Sequence, residues 1–350
     1  MKKLFVFISF LLPLSLFLSG CNNEETPEQG EDQTVKVYTT VYPLQYFTER
    51  IGGKYVDVQT IYPPGADEHT FEPSQKDMLE LAEADAFVYI GLGLEGFVEN
   101  AKKTLENEKV TFVAAGDHVE LNAGDHDPVH ADHDVQTHEG EADHAEAEAH
   151  EHGDKTEHTE GNANSGSHAD DDGHDHDVDP HVWLDPLYSI KLAEAIKEAL
   201  TEKLPGQASL FQENFDKLAG ELDELHQDFE KVVETASHKE IIVSHAAYGY
   251  WEKRYGIEQL SISGISTANE PTQRDLEKII ALADEHGLSY VLTEQNVSSK
   301  FSEIVQKEIG AETMTLHNLS TLTEKDIKAQ ENYLTIMKKN IETLEKALNG

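Results

Sequence analysis

Two blocks of alternating strand-like and helix-like runs, joined by one unbroken helical stretch, constrain this chain more than any other feature. From Ser209 to about Thr235, one helical face carries Leu210, Phe211, Phe215, Leu218, Leu222, Leu225, Phe229, Val232 and Val233. A 3.6-residue period over that length predicts one helix, roughly 40 Å long at 1.5 Å per residue. Before it, strands are expected at Val35–Tyr42, Tyr55–Tyr62, Ala86–Ile90 and Val110–Ala115, and helices at Leu44–Ile51, Ser74–Ala84, Gly96–Asn107 and Pro186–Leu204. After it, strands at Glu240–Ser244, Glu258–Ser263, Tyr290–Thr293 and Thr313–Leu316 alternate with helices at Tyr248–Tyr255, Gln273–Glu285 and Ser298–Ile309. Glu331–Leu348 closes the chain as a helix. Such alternation implies mainly parallel sheets covered by helices, and so an α/β protein of two lobes joined by a long helix.

The blocks also echo each other. Glu72-Pro73-Ser74-Gln75-Lys76-Asp77 recurs as Glu270-Pro271-Thr272-Gln273-Arg274-Asp275, each opening a helix that leads into a strand. Proline suits the first helical turn, where its missing N–H would be unpaired anyway.

Residues 117–180 interrupt the first block. They hold 12 His and 21 Asp+Glu against a single lysine, Lys155, and so supply about half of the formal charge of −41. With few large apolar side chains, an insertion at 117–178 cannot offset its ordering entropy and is expected to be disordered. His126, His130, His133, His138, His144, His150, His152, His158, His168, His174 and His176 form a candidate low-affinity metal tract; the plainer reading is a solvated, self-repelling loop. The overall balance of 27 Lys+Arg against 68 Asp+Glu argues against a nucleic-acid partner and against charge-driven docking on an anionic membrane.

The N-terminus reads as a targeting segment. Lys2 and Lys3 precede an apolar run, Leu4 to Leu18, shorter than the roughly 20 residues that span a bilayer. It ends in Leu18-Ser19-Gly20-Cys21, which looks like a bacterial lipobox and holds the one cysteine of the chain. Residues 1–20 are therefore expected to be a signal peptide, Cys21 to carry acyl chains such as palmitate, and residues 21–33 to be a flexible tether. That puts the body on the extracytoplasmic face of a membrane, at a Gram-positive cell surface. A lone cysteine also excludes an intrachain disulfide and a Cys-based metal cluster. The remaining boundaries expected are 34–204 for the first lobe, 205–237 for the linking helix and 238–350 for the second lobe.

Four motifs could carry chemistry. His69 lies in the turn-rich loop Pro63 to Pro73, and His181 between the Asp-Pro pairs of Asp179-Pro180-His181-Val182-Trp183-Leu184-Asp185-Pro186. His245 ends the apolar strand Ile241-Ile242-Val243-Ser244, and Glu294 follows Tyr290-Val291-Leu292-Thr293. Ligands of open α/β sheets bind beyond the carboxyl ends of strands. If the two lobes face each other there, three imidazoles and one carboxylate converge into a shell that suits four-coordinate Zn²⁺. Taken singly, each is more often a hydrogen-bonded loop residue or a solvated acid; the pairing of two in each lobe favours a shared site. His226, His238, His286 and His317 read as surface or structural residues.

The lipobox, the Gly65-Ala66-Asp67-Glu68-His69 loop, the His181 turn, Ser244-His245-Ala246-Ala247-Tyr248 and Thr293-Glu294-Gln295-Asn296 together resemble the zinc-uptake solute-binding proteins of ABC transporters, the ZnuA/AdcA group. The resemblance runs over nearly all of residues 34–350. It implies two Rossmann-like lobes on a rigid linking helix, and Zn²⁺ bound between them by His69, His181, His245 and, less securely, Glu294. It also implies delivery, as a monomer, to a membrane permease driven by a separate ATPase. A manganese-binding member of the same family is the near alternative. A three-His zinc hydrolase, with Glu294 as general base, is the alternative from another class, although no HExxH helix or paired nucleophile motif is present. An adhesin is a third possibility, which no surface motif supports. Gly52-Gly53-Lys54-Tyr55 lacks the pattern of a P-loop.

Overall fold

The computed structural model describes residues 34–121, 178–266, 270–295 and 299–350. The expected signal peptide, Cys21, the tether and the eleven histidines from His126 to His176 lie outside the described residues.

Each lobe is built on four parallel strands. In the first, β1 (Val35–Thr39), β2 (Val56–Thr60), β3 (Ala86–Tyr89) and β4 (Thr111–Ala114) stand in the order β2-β1-β3-β4. In the second, β5 (Glu240–His245), β6 (Glu258–Ser263), β7 (Tyr290–Thr293) and β8 (Glu312–Thr315) repeat that order as β6-β5-β7-β8. The central strands β3 and β7 are short and apolar because helices cover both faces, as parallel sheets require. The order reverses direction between β1 and β3, and between β5 and β7. Both reversals open a crevice at the carboxyl ends of the strands.

The helices are α1 (Tyr42–Gly52), α2 (Gln75–Ala82), α3 (Val98–Thr104), α4 (Pro186–Lys203), α5 (Ala208–Glu234), α6 (Gly249–Tyr255), α7 (Gln273–His286), α8 (Lys300–Glu308), α9 (Glu324–Ala329) and α10 (Tyr333–Ala347). The repeated hexapeptide forms the same device twice. Ser74 Oγ accepts from Asp77 N while Asp77 Oδ2 accepts from Ser74 N, and Thr272 and Asp275 do likewise, so α2 and α7 both start on capping boxes.

Helix α5 is the 27-residue linking helix that the apolar stripe predicted. It buries Phe211, Phe215, Leu218, Leu222, Leu225, Phe229 and Val233, each worth about 1.5–3 kcal/mol. Near its start Asn214 Nδ2 donates to Ile51 O of the first lobe at 2.9 Å. Near its end Phe229 stacks on Tyr255 of the second, with ring centroids 5.2 Å apart. One helix therefore packs on both lobes.

Two details differ from expectation. Helix α9 left no trace in the sequence because none of its six residues is buried, so no periodic stripe exists to be read. The insertion expected from residue 117 begins later: Ala115–His118 form a 3₁₀ turn and Val119 is buried, which belongs to the first lobe.

Candidate metal centre

Three imidazoles from three separate stretches of chain meet between the lobes. His245 ends β5, at the crevice of the second sheet. His69 sits in the loop between β2 and α2, where Asp67 Oδ1 accepts from the backbone N–H of His69 and of Thr70. His181 lies in the segment between the insertion and α4, and is fully buried.

That segment is wedged between the lobes. Trp183 Nε1 donates to Asn318 O at 2.7 Å, and Trp251 Nε1 donates to Leu184 O at 2.8 Å. Tyr250 Oη donates to Asp179 O, and Arg254 pairs with Asp185, which also caps α4 through Leu187 N and Tyr188 N. The aromatic and Asp-Pro content of the motif is thus spent on docking, and His181 rides on a fixed backbone.

His181 Nε2 stands 3.2 Å from His69 Nε2 and 3.3 Å from His245 Nε2. The inner nitrogens have their own partners: His181 Nδ1 lies 2.8 Å from Asp179 Oδ1, and His245 Nδ1 abuts Glu294 Oε1. A carboxylate on Nδ1 keeps the proton there, which assigns the tautomer and leaves Nε2 with its lone pair. Bare lone pairs this close repel, whereas a cation between them attracts all three. Donors at the corners of a tetrahedron with Zn–N bonds of 2.0–2.1 Å lie about 3.3–3.4 Å apart. The observed spacing matches that edge.

The fourth position is where structure and expectation part. Glu294 was expected to complete the shell. Standing one residue beyond β7, beside β5, it reaches the inner nitrogen of His245, and its Oε2 accepts from Asn318 Nδ2 at 2.9 Å. Glu68 is the carboxylate whose oxygen lies within 4.8 Å of the ligand nitrogens of all three histidines. Sequence reading passed over Glu68 although it adjoins His69. It also treated Asp179 only as part of a turn, and nothing in the sequence pointed to Asn318, 250 residues from Glu68.

Burial sets the charge states. His69 is held down to about 3 by desolvation and then by its two neighbouring imidazoles, so it stays neutral at physiological pH. Burial also opposes charging His245, but the Glu294 carboxylate outweighs it and raises that imidazole above its ordinary value. Glu68 is pushed up to about 7, first by burial and then by the negative charge of Glu294. Elsewhere, His317 is buried with Nδ1 accepting from Leu319 N, and His226 Nδ1 meets Tyr255 Oη at 3.1 Å, which are structural roles. His238 and His286 flank Glu240. Among the described residues no helix is long and apolar enough to cross a membrane.

Comparison with known proteins was made against this geometry. The chain is 37% identical over 310 residues to the zinc-binding protein AdcA of Streptococcus pyogenes serotype M3, an alignment covering 89% of this chain and 55% of that one. It thus spans little more than half the length of that relative. It is 30% identical over 335 residues to the high-affinity zinc uptake system protein ZnuA of Bacillus subtilis, covering 95% of this chain and 94% of the relative. The solved Zn(II)-bound ZnuA-like domain of Streptococcus pneumoniae AdcA superposes with a TM-score of 0.67 at 27% identity, over 91% of this chain and all of that domain. The model of the family described as zinc-uptake complex component A, periplasmic, matches residues 37–347, and the chain belongs to that family.

Proposed function

We propose that this chain captures Zn²⁺ between its lobes and hands it to the membrane permease of an ABC-type importer, without chemical change to the ion. The observation that carries this reading is the trio of Nε2 atoms spaced like the edges of a zinc tetrahedron. His69, His181 and His245 supply nitrogen, and Glu68 supplies the oxygen its position allows; Glu294 orients His245. Three nitrogens and one oxygen favour zinc over manganese.

A hydrolase fits less well. Both oxygens of Glu294 are engaged, one on His245 and one on Asn318, so neither is free to take a proton from a metal-bound water. An acyl chain on Cys21 would hold the body at the extracytoplasmic surface beside its permease, and the acidic, histidine-rich insertion would collect zinc weakly near the cleft. The domain boundaries that accompany this reading are a first lobe from residue 34, the linking helix, and a second lobe from residue 238.

The test is a zinc titration in competition with a chelator. The parent chain should hold one tightly bound zinc, and His69→Ala, His181→Ala and His245→Ala should each weaken it about a hundredfold or more, one ligand's share of a structural zinc site. Variants that bind as tightly as the parent would overturn the site. Cells that lack this chain should fail to accumulate radiolabelled zinc from dilute medium until the chain is restored.

A further inference from the structure

The site's two buried acids, Glu68 from the first lobe and Glu294 from the second, converge on one amide. Asn318 Nδ2 lies 3.1 Å from Glu68 Oε1 and 2.9 Å from Glu294 Oε2, and Asn318 is itself buried. Its Oδ1 accepts from Gln295 Nε2 at 2.8 Å and from Ser320 N and Oγ at 3.0 Å each. Those donors allow only one orientation of the amide, oxygen toward Gln295 and Ser320 and nitrogen toward the acids. The backbone is pinned as well: Asn318 N donates to Gln295 Oε1 at 3.2 Å, and its carbonyl accepts from Trp183 Nε1 at 2.7 Å.

The two amide hydrogens serve one carboxylate each. Tethered through Oε1, Glu68 keeps only its second oxygen wholly free for a cation. Tethered through Oε2, with Oε1 on His245, Glu294 keeps none. Without the tether Glu68 can turn both oxygens inward and Glu294 can swing away from the imidazole. The oxygen count would then rise toward the larger shells that harder divalent cations take.

We infer that Asn318 is a positioning residue that limits the oxygen donors presented to the cation, and so sets the preference for zinc over manganese. The inference rests on the zinc-capture reading above. It is tested on the full chain with Asn318→Asp, which keeps the shape but loses both donors, and Asn318→Ser, which is too short to reach both acids and adds no charge. Dissociation constants for Zn²⁺ and Mn²⁺ are measured against a competing chelator, and the visible spectrum of the Co²⁺-loaded chain is recorded.

The manganese-to-zinc ratio of dissociation constants should narrow by about tenfold or more in each variant, within the range usual for residues that orient metal ligands. The Co²⁺ bands should lose intensity as the coordination number rises. Equal weakening of both cations with an unchanged Co²⁺ spectrum would mark Asn318 as merely structural and overturn the inference, as would constants unchanged from the parent. A parent chain that binds no zinc tightly would overturn the zinc-capture reading as well, so the two failures are distinct. Should Asn318→Asp not fold, Asn318→Ser decides the matter.

Discussion

Asp179 Oδ1 lies 2.8 Å from Nδ1 of His181 and also accepts from the backbone N–H of the same residue at 3.0 Å. One carboxylate oxygen therefore fixes both the loop that carries the imidazole and the nitrogen that faces the other two rings. Its second oxygen has little room: a Cβ on Gly249 would sit 2.7 Å from Asp179 Oδ2. Asp179→Asn should lower zinc affinity about 10- to 100-fold, as for other partners of metal-bound histidines. Gly249→Ala should act in the same direction by displacing that carboxylate. Calorimetric titrations that match the parent for both variants would remove Asp179 from the site's design.

The pH dependence of the metal-free fold has two opposed contributions. Glu68 titrates near 7 when folded against 4.5 in a free chain. Between those values the folded chain holds a proton that the unfolded chain has released, so this contribution to stability falls as pH rises. His69 titrates near 3 when folded against 6.5 when free, so its contribution falls as pH drops from 6.5 toward 3. Glu68→Gln removes only the first. The stability of that variant relative to the parent should grow from pH 4.5 to 7 and level off above, read from denaturant unfolding at several pH values. A difference that ignores pH across that window would contradict the assignment.

Zinc binding should release protons below neutrality. His245 is raised by Glu294 and Glu68 titrates near 7, so both hold protons that a cation displaces, whereas His69 is already neutral. Affinity should therefore climb as pH rises to about 7 and then flatten. Titrations in buffers of different ionisation enthalpy measure the protons released; none released at pH 6 would contradict this.

Glu95 is a buried carboxylate used for structure. Its Oε1 accepts from Thr40 Oγ1 at 2.7 Å and Ile90 N at 2.9 Å, and its Oε2 from Gly91 N at 2.9 Å. It thereby ties the ends of β1 and β3 beside the crevice of the first lobe. Glu95→Gln exchanges one acceptor for a donor that faces a buried N–H or hydroxyl. The expected cost is about 1–3 kcal/mol in denaturant unfolding, and an unchanged midpoint would show that the loop rearranges freely.

Deleting residues 120–175 should leave the tight zinc site intact and remove additional weak sites, counted by native mass spectrometry. Loss of tight binding on deletion would place part of the site within the insertion.

Much of this was legible in the residues themselves. The stripe from Phe211 to Val233 fixes the linking helix because periodicity is local, and the twin Pro-Ser/Thr-x-x-Asp starts fix α2 and α7 because a capping box closes within four residues. His69, His181 and His245 could be nominated because each stands at a strand end or in a constrained turn, where side chains are free for chemistry. The identity of the fourth donor could not. Glu68 and Glu294 are both acids beside a candidate imidazole or strand end, and their roles diverge only through Asn318, which the packing of the second lobe brings against both. Sequence alone determined which residue types were on offer and which segments could be regular. Only the folded chain decided which lone pairs face one another, because that depends on hydrogen bonds between residues far apart along the chain.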